Sequence, residues 1–247
     1  MKSAAMLLGG ALAAVTTLPA QAGEWEFEAT PYLWAQSIDG EVTVGDRTVD
    51  ADVKFKDLFE ALDFAIAGLF VARKDNWVYW LQLDYADLST KNLDDGPEKV
   101  TLDTTQVLTS AAVGKTFPFL MKDSTIDVLI GARYLYLKNE IDFENDLLAT
   151  REGSRDIVDP TLLFRPSVPV FPGTFDGKLR FNPTLGIGGG GDSDLVYELQ
   201  PQFQYTFTTT ALRVGYRKLH YKVEGDREDG NFDGAFTGFL VGFGFLF

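Results

Sequence analysis

The chain has 247 residues, 45% of them hydrophobic and 23% charged, with 22 basic and 36 acidic residues for a formal net charge of −14. That composition excludes disorder and a collagen-like repeat, and the acidic balance argues against nucleic acid, whose phosphates need clustered Lys and Arg. Cysteine is absent and His220 is the single histidine, which excludes disulfides, thiolate metal sites, Cys nucleophiles and any site built on two histidines.

The first segment reads as an address. Lys2 supplies a short positive region, Ala4 to Leu18 is apolar and uncharged, and Pro19-Ala20-Gln21-Ala22 ends in an A-x-A pattern. This is the layout of a secretory signal peptide cut after Ala22, so 1–22 is the expected signal peptide and 23–247 the expected mature domain. No later stretch reaches 18 uncharged apolar residues, the length a spanning helix needs.

The mature chain is dominated by two-residue alternation, the strand period. Segments of this kind fall near 25–37, 63–73, 77–88, 102–116, 125–138, 157–170, 178–189, 195–207, 211–223 and 235–247. Trp77, Tyr79, Leu81, Leu83 and Tyr85 alternate with Trp80, Gln82 and Asp84; Leu195 to Phe207 alternate with Glu198, Gln200, Gln202 and Gln204. Most segments exceed the roughly 5–6 residues of a soluble strand and reach the about 9–11 that a tilted strand needs to cross a bilayer. The pattern predicts an all-β protein, a closed antiparallel transmembrane β-barrel of about ten strands, with eight or twelve as the neighbouring even counts, apolar toward lipid and polar toward the lumen. Two features strain that expectation. Pro31, Pro160, Pro166, Pro169, Pro183 and Pro201 fall inside the strands, where proline removes a ladder donor. In 211–223 the apolar residues change parity, from Leu212, Val214 and Tyr216 to Leu219, Tyr221 and Val223, which predicts a bulge near Arg217-Lys218.

Connections alternate short and long. The regions 38–63, 87–103, 139–159, 191–194 and 224–233 together hold 27 acidic and 8 basic residues. An acidic excess confined to one set of connections predicts that these face outward and that both termini are periplasmic. Within 38–63, Glu41–Val44 and Thr48–Val53 suggest a small hairpin. Phe55, Leu58, Phe59 and Leu62 have helical spacing, which predicts a short amphipathic helix over 55–62 that caps the barrel mouth, lies at the lipid interface or plugs the lumen.

The chain closes on Phe239, Val241, Phe243, Phe245 and Phe247 at every second position, with Gly238, Gly242 and Gly244 on the other face. This run resembles the terminal strand that the bacterial barrel-assembly machinery reads. Further pieces match in order: Pro31-Tyr32-Leu33-Trp34 with Ile38-Asp39-Gly40, Leu83-Asp84-Tyr85, Val158-Asp159-Pro160, the glycine run 186–191, and Gly215-Tyr216-Arg217-Lys218-Leu219. Together they resemble one uncharacterised group of bacterial outer-membrane barrels, similar in architecture to the small outer membrane protein A-type barrels. The resemblance implies an outer-membrane location and fold, outer-membrane lipid as the surroundings, and Phe239, Phe243, Phe245 and Phe247 as the assembly signal. It supplies no activity.

Candidate chemistry is sparse. The glycine run lacks the GK[ST] ending of a phosphate loop. Asp226, Glu228, Asp229, Asn231 and Asp233 form an acidic loop with a faint resemblance to a calcium loop, without its twelfth-position Glu; weak divalent cation binding is the alternative to plain solvation. His220 has no Ser or Asp two residues on, so a rim-sited hydrolase would need a distant partner such as Asp84 or Asp192. The predicted lumen gathers Glu26, Glu28, Asp84, Asp127, Asp159 and Glu198 with Arg133, Arg165, Arg180, Arg213 and Arg217. Such a set is either an ion-pair network filling a narrow barrel or the selective lining of a small pore. No catalytic, cofactor or metal residues are assigned, and the expected function is a structural or surface barrel with at most a narrow solute path, with a small porin as the alternative.

Overall fold

The computed structural model describes residues 25–44, 47–53, 56, 62–91, 100–143, 151–224 and 231–247. They form one antiparallel sheet of thirteen strand segments that closes on itself: β1 (Trp25–Val44), β2 (Arg47–Val53), β3 (Leu62–Lys74), β4 (Trp77–Lys91), β5 (Val100–Pro118), β6 (Thr125–Phe143), β7 (Arg151–Pro169), β8 (Leu179–Phe181), β9 (Thr184–Gly188), β10 (Leu195–Gln200), β11 (Gln202–Thr206), β12 (Thr210–Val223) and β13 (Asn231–Leu246). The first strand pairs with the last, from Glu28↔Leu246 to Thr43↔Asn231. Below that ladder the Phe27 amide donates to the Phe247 carbonyl at 2.8 Å, and the Phe247 amide donates back at 3.0 Å.

Thirteen segments make ten staves. β8 and β9 share one stave, as do β10 and β11. β2 pairs with the outer end of β1 from Ile38↔Val53, while β3 pairs with its inner end up to Pro31↔Gly68. The small hairpin expected from the sequence is therefore built into the barrel wall. The helix expected over 55–62 lies outside the described residues apart from Lys56 and from Leu62, which already belongs to β3. A four-residue helix, α1 (Pro172–Phe175), sits in the β7–β8 turn. Residues 1–24 and 225–230 also lie outside the described residues, and with them the signal peptide and most of the acidic loop around Gly230.

The prolines are accommodated by register. Constant register on both sides places Pro166 opposite Pro183, and Pro183 opposite Pro201. The Asn182 amide donates to the Gln202 carbonyl, so the backbone of Pro183 faces β7 and meets Pro166. The two donors missing from that rung coincide, and one gap in the ladder serves two prolines. On the other flank Tyr216 still donates to the Pro201 carbonyl at 3.0 Å. These positions are where the two staves divide into β8/β9 and β10/β11. The β1–β13 ladder likewise steps over Pro31, from Ala29↔Phe245 to Tyr32↔Gly242.

The bulge expected near Arg217-Lys218 is absent: β12 pairs with β13 in unbroken register from Thr210↔Phe245 to Val223↔Phe232. Leu212, Val214 and Tyr216 point outward, as do Lys218, His220 and Lys222, while Leu219, Tyr221 and Val223 are buried inside. Apolar character changes sides along an uninterrupted strand. The same exchange occurs around the barrel. Outward residues pass from Tyr85 to Asp87, from Val107 to Thr105, from Tyr136 to Lys138 and from Phe239 to Thr237, and register aligns Asp87, Thr105 and Lys138 on adjacent strands. The outward apolar band from Trp77 to Tyr85 covers eight residue rises, roughly 20 Å once strand tilt is included. That approaches the about 25 Å band of a membrane barrel.

Candidate functional site: the barrel interior

The interior is a stack of four layers along the barrel axis. The first is a vestibule of about 890 Å³, open at the end that carries the short turns. Paired charges stand around it. Arg73 on β3 grips Asp127 on β6 through two hydrogen bonds of 3.0 and 2.7 Å, and Thr116 donates to the same carboxylate at 2.7 Å. Arg213 on β12 donates to both oxygens of Glu28 on β1, at 2.8 and 2.6 Å, and Thr30 adds a third bond. These are side-on guanidinium–carboxylate pairs, the strong form of the interaction. Glycine makes room for them: a Cβ on Gly244 would stand 2.9 Å from Glu28 Oε1. Glu26 and Arg180 lie at the rim, and Arg180 donates to the Ser167 hydroxyl and to the Ser167 and Asp123 carbonyls.

Above the vestibule is an apolar layer of Leu69, Val71, Val78, Trp80, Leu129 and Leu163. Arg165 enters it from below, its guanidinium 5.7 Å from the Trp80 ring centre. Only about 20 Å³ of free space opens here, beside Tyr32, Arg165 and Arg213.

The third layer is a closed ion-pair network. Arg217 donates through Nη1 to Asp84 Oδ2 at 2.9 Å and through Nε to Glu198 Oε1 at 2.6 Å. Arg133 donates to the other oxygen of Glu198 and, at 2.9 Å, to Ser110. Tyr32 donates to Asp84 Oδ1 at 2.6 Å while accepting from Gln82, and the Arg217 guanidinium stacks 4.5 Å from the Trp34 ring centre. Two carboxylates meet two guanidiniums, and none of the four side chains is more than 9% exposed. Charges so far from water are sustained by this pairing. Asp159 on β7 is opposite Arg133 in register, is fully buried and accepts the Ser193 amide at 3.0 Å. That bond ties the 189–194 loop, which turns through Gly189 and Gly190 at positive φ, over the barrel end.

The fourth layer, toward the long connections, contains Leu108, Leu135, Ile157, Val196, Leu219, Tyr221, Val223 and Phe236. The lumen expected to be polar throughout is thus apolar in its outer part. A pocket of about 270 Å³ beside Leu137, Ile157 and Phe232 opens at that end.

All eleven lumen residues singled out from the sequence line this interior, though in two separate groups. Glu28, Asp127, Arg165, Arg180 and Arg213, with Glu26, belong to the vestibule; Asp84, Arg133, Asp159, Glu198 and Arg217 belong to the third layer. Arg73, Thr116, Ser110 and Gln82 were not singled out. Arg73 shares parity with Leu69 and Val71, and that parity is the signal that could have found it. His220 has neither of its suggested distant partners: it faces outward, stacks on Tyr197 at 4.7 Å and meets Asp233 at 3.1 Å. Asp84 is inside the barrel, and Asp192 accepts the Val158 amide. Among the described residues no group of three or more acidic or histidine side chains could hold a metal ion. Phe239 and Phe243 face outward, and Phe247 stacks on Phe27 at 5.6 Å.

Among solved structures, the outer membrane protease OmpT from Escherichia coli superposes with a TM-score of 0.55 at 8% identity, over 90% of this chain and 97% of that one. The chain has the fold of the outer-membrane β-barrels. The translocator domain of the autotransporter NalP from Neisseria meningitidis (12% identity, 92% and 90% coverage, TM-score 0.46) and the attachment invasion locus protein Ail of Yersinia pestis (10%, 91% and 99%, 0.37) are also found. No family model and no curated protein matches. The likeness of this outer-membrane-type barrel to the protease concerns the fold.

Proposed function

We propose that the chain is an integral barrel of a Gram-negative-type outer membrane with a sealed lumen, serving a structural or surface role without enzymatic activity. The observation that carries this is the third layer, where Asp84, Arg217, Glu198 and Arg133 join four staves across the axis between two apolar layers. A conducting path would have to part these pairs. Planar-bilayer recording from the purified protein is expected to show little or no steady conductance. Large, stable, ion-selective steps would overturn the sealed lumen.

Export through a signal peptide cut after Ala22, folding through the barrel-assembly machinery by way of the Phe239–Phe247 strand, and a monomeric state belong to the same proposal, as does weak divalent cation binding by the acidic outer loops. Fractionation followed by gel migration with and without boiling tests location and folding. Removing Phe247 is expected to leave protein in the periplasm. A narrow solute path is the second reading, and the open vestibule favours it, since it already hollows one end of the barrel.

A further inference from the structure

The vestibule contains two guanidiniums without a carboxylate at hydrogen-bonding distance. Glu28 is engaged by Arg213 and Asp127 by Arg73. Arg165 approaches Asp127 only to 3.7 Å, although its side chain is 9% exposed. Its Nε and Nη1 have no hydrogen-bond partner and are shielded from open solvent, as is Nη1 of Arg213, whose side chain is 5% exposed; both residues nevertheless line the vestibule. Arg180, at the entrance, donates only to neutral oxygens. Buried cationic donors are costly when unpaired; apart from Nη2 of Arg217 in the third layer, those among the described residues belong to Arg165 and Arg213, which border both the vestibule and the small space above it.

We infer that the inner end of the vestibule is a binding site for a small oxyanion, the phosphate or carboxylate group of a ligand entering from the short-turn side, held between Arg165 and Arg213 with Arg180 at the entrance. The ligand supplies the hydrogen-bonded oxygen that Asp127, gripped by Arg73 and 3.7 Å away, does not give Arg165. A cavity of about 890 Å³ admits a group of this size with its remainder. The mouth is also beside the rim formed by Phe27, Glu28 and Phe247, so the group can belong to a free solute or to a phospholipid headgroup from the adjacent leaflet. The site goes beyond the sealed-lumen proposal and does not depend on it, because the vestibule is open whether or not the layers above conduct.

Calorimetric titration of the full chain, folded in maltoside micelles at fixed ionic strength, with inorganic phosphate tests this. Saturable binding at one site per barrel is expected, weakened about tenfold or more in Arg165→Gln, the loss expected for a charge-assisted hydrogen bond. Arg180→Gln, at the half-exposed entrance, is expected to weaken it several-fold and tests the site even if Arg165→Gln does not fold. Lys122→Gln, on the same rim outside the vestibule, leaves binding unchanged. Competition by short-chain phosphatidylglycerol stronger than by phosphate identifies a headgroup as the source, and phosphate binding without lipid competition identifies a solute; either supports the site. No saturable binding, or equal affinity in wild type, Arg165→Gln and Arg180→Gln, overturns it and leaves a water molecule as the occupant of the small space, which is large enough for about one.

Discussion

The barrel near the short turns and the barrel near the long connections are built on opposite plans. In the first, Leu81, Val241 and Phe243 face outward while Glu28, Arg213 and Asp127 face inward. In the second, Lys218, His220 and Asp156 face outward while Leu219, Leu135 and Phe236 fill the interior. The inner plan is that of a protein dissolved in lipid, and the outer plan is that of one dissolved in water. Both occur on the same continuous strands. Polarity is therefore set by depth, and the charged third layer sits where the two plans meet.

This contrast can be broken most forcefully at the junction. Arg217→Ala leaves Asp84 without its cation and Glu198 with Arg133 alone, and about 3–5 kcal/mol of stability should be lost in urea unfolding of the micelle-bound protein. A loss below about 1 kcal/mol would mean that the layer is solvated. Next in size, Val241→Arg places a charge on the outward apolar band and should cost about 2–4 kcal/mol, whereas His220→Arg, above the exchange, should cost about 1 kcal/mol or less. Similar costs at the two sites would erase the boundary between the plans.

A third pair of variants inverts neighbours on β12. Leu219→Ala should cost about 2–4 kcal/mol because it opens a cavity in the outer interior, while Lys218→Leu should change stability by about 0.5 kcal/mol or less. The reverse ranking would restore the bulge expected from the sequence. The smallest effect concerns the wall. Pro183→Ala returns a donor opposite the Pro166 carbonyl and should stabilise by about 1 kcal/mol at most; a clear loss would show that the gap between those strands is needed.

The closed antiparallel barrel was legible because alternation survives in nearly every stave, and because Phe239, Val241, Phe243 and Phe245 follow one another at a two-residue spacing. Staves were read too short at their outer ends: β1 continues to Val44 and β6 to Phe143, beyond the point where lipid-facing residues give way to polar ones. The same change of surroundings made β12 look like a strand with an insertion. Parity alone carries no depth, so Leu219 and Leu212 read as one face displaced by a residue. The inward residues of the candidate site were legible from parity, but their division into two layers was not. Which guanidinium reaches which carboxylate depends on tilt and register across the barrel, as with Arg217 on β12 and Asp84 on β4, which are 133 residues apart. Arg73 escaped because both faces of β3 are apolar until its last turn toward the vestibule.

The aligned prolines have a mechanical consequence. Pro166, Pro183 and Pro201 occupy matched positions on three adjacent staves, so the wall beside the vestibule carries a short perforated line. Under a pulling force, or during slow breathing of the sheet, strain concentrates where rungs are missing. The staves holding β8 to β11 should therefore part there first and exchange their flanking amides ahead of the uninterrupted ladders of β4, β5 and β6. A barrel sealed through its middle would then be most compliant along the flank that borders the open vestibule.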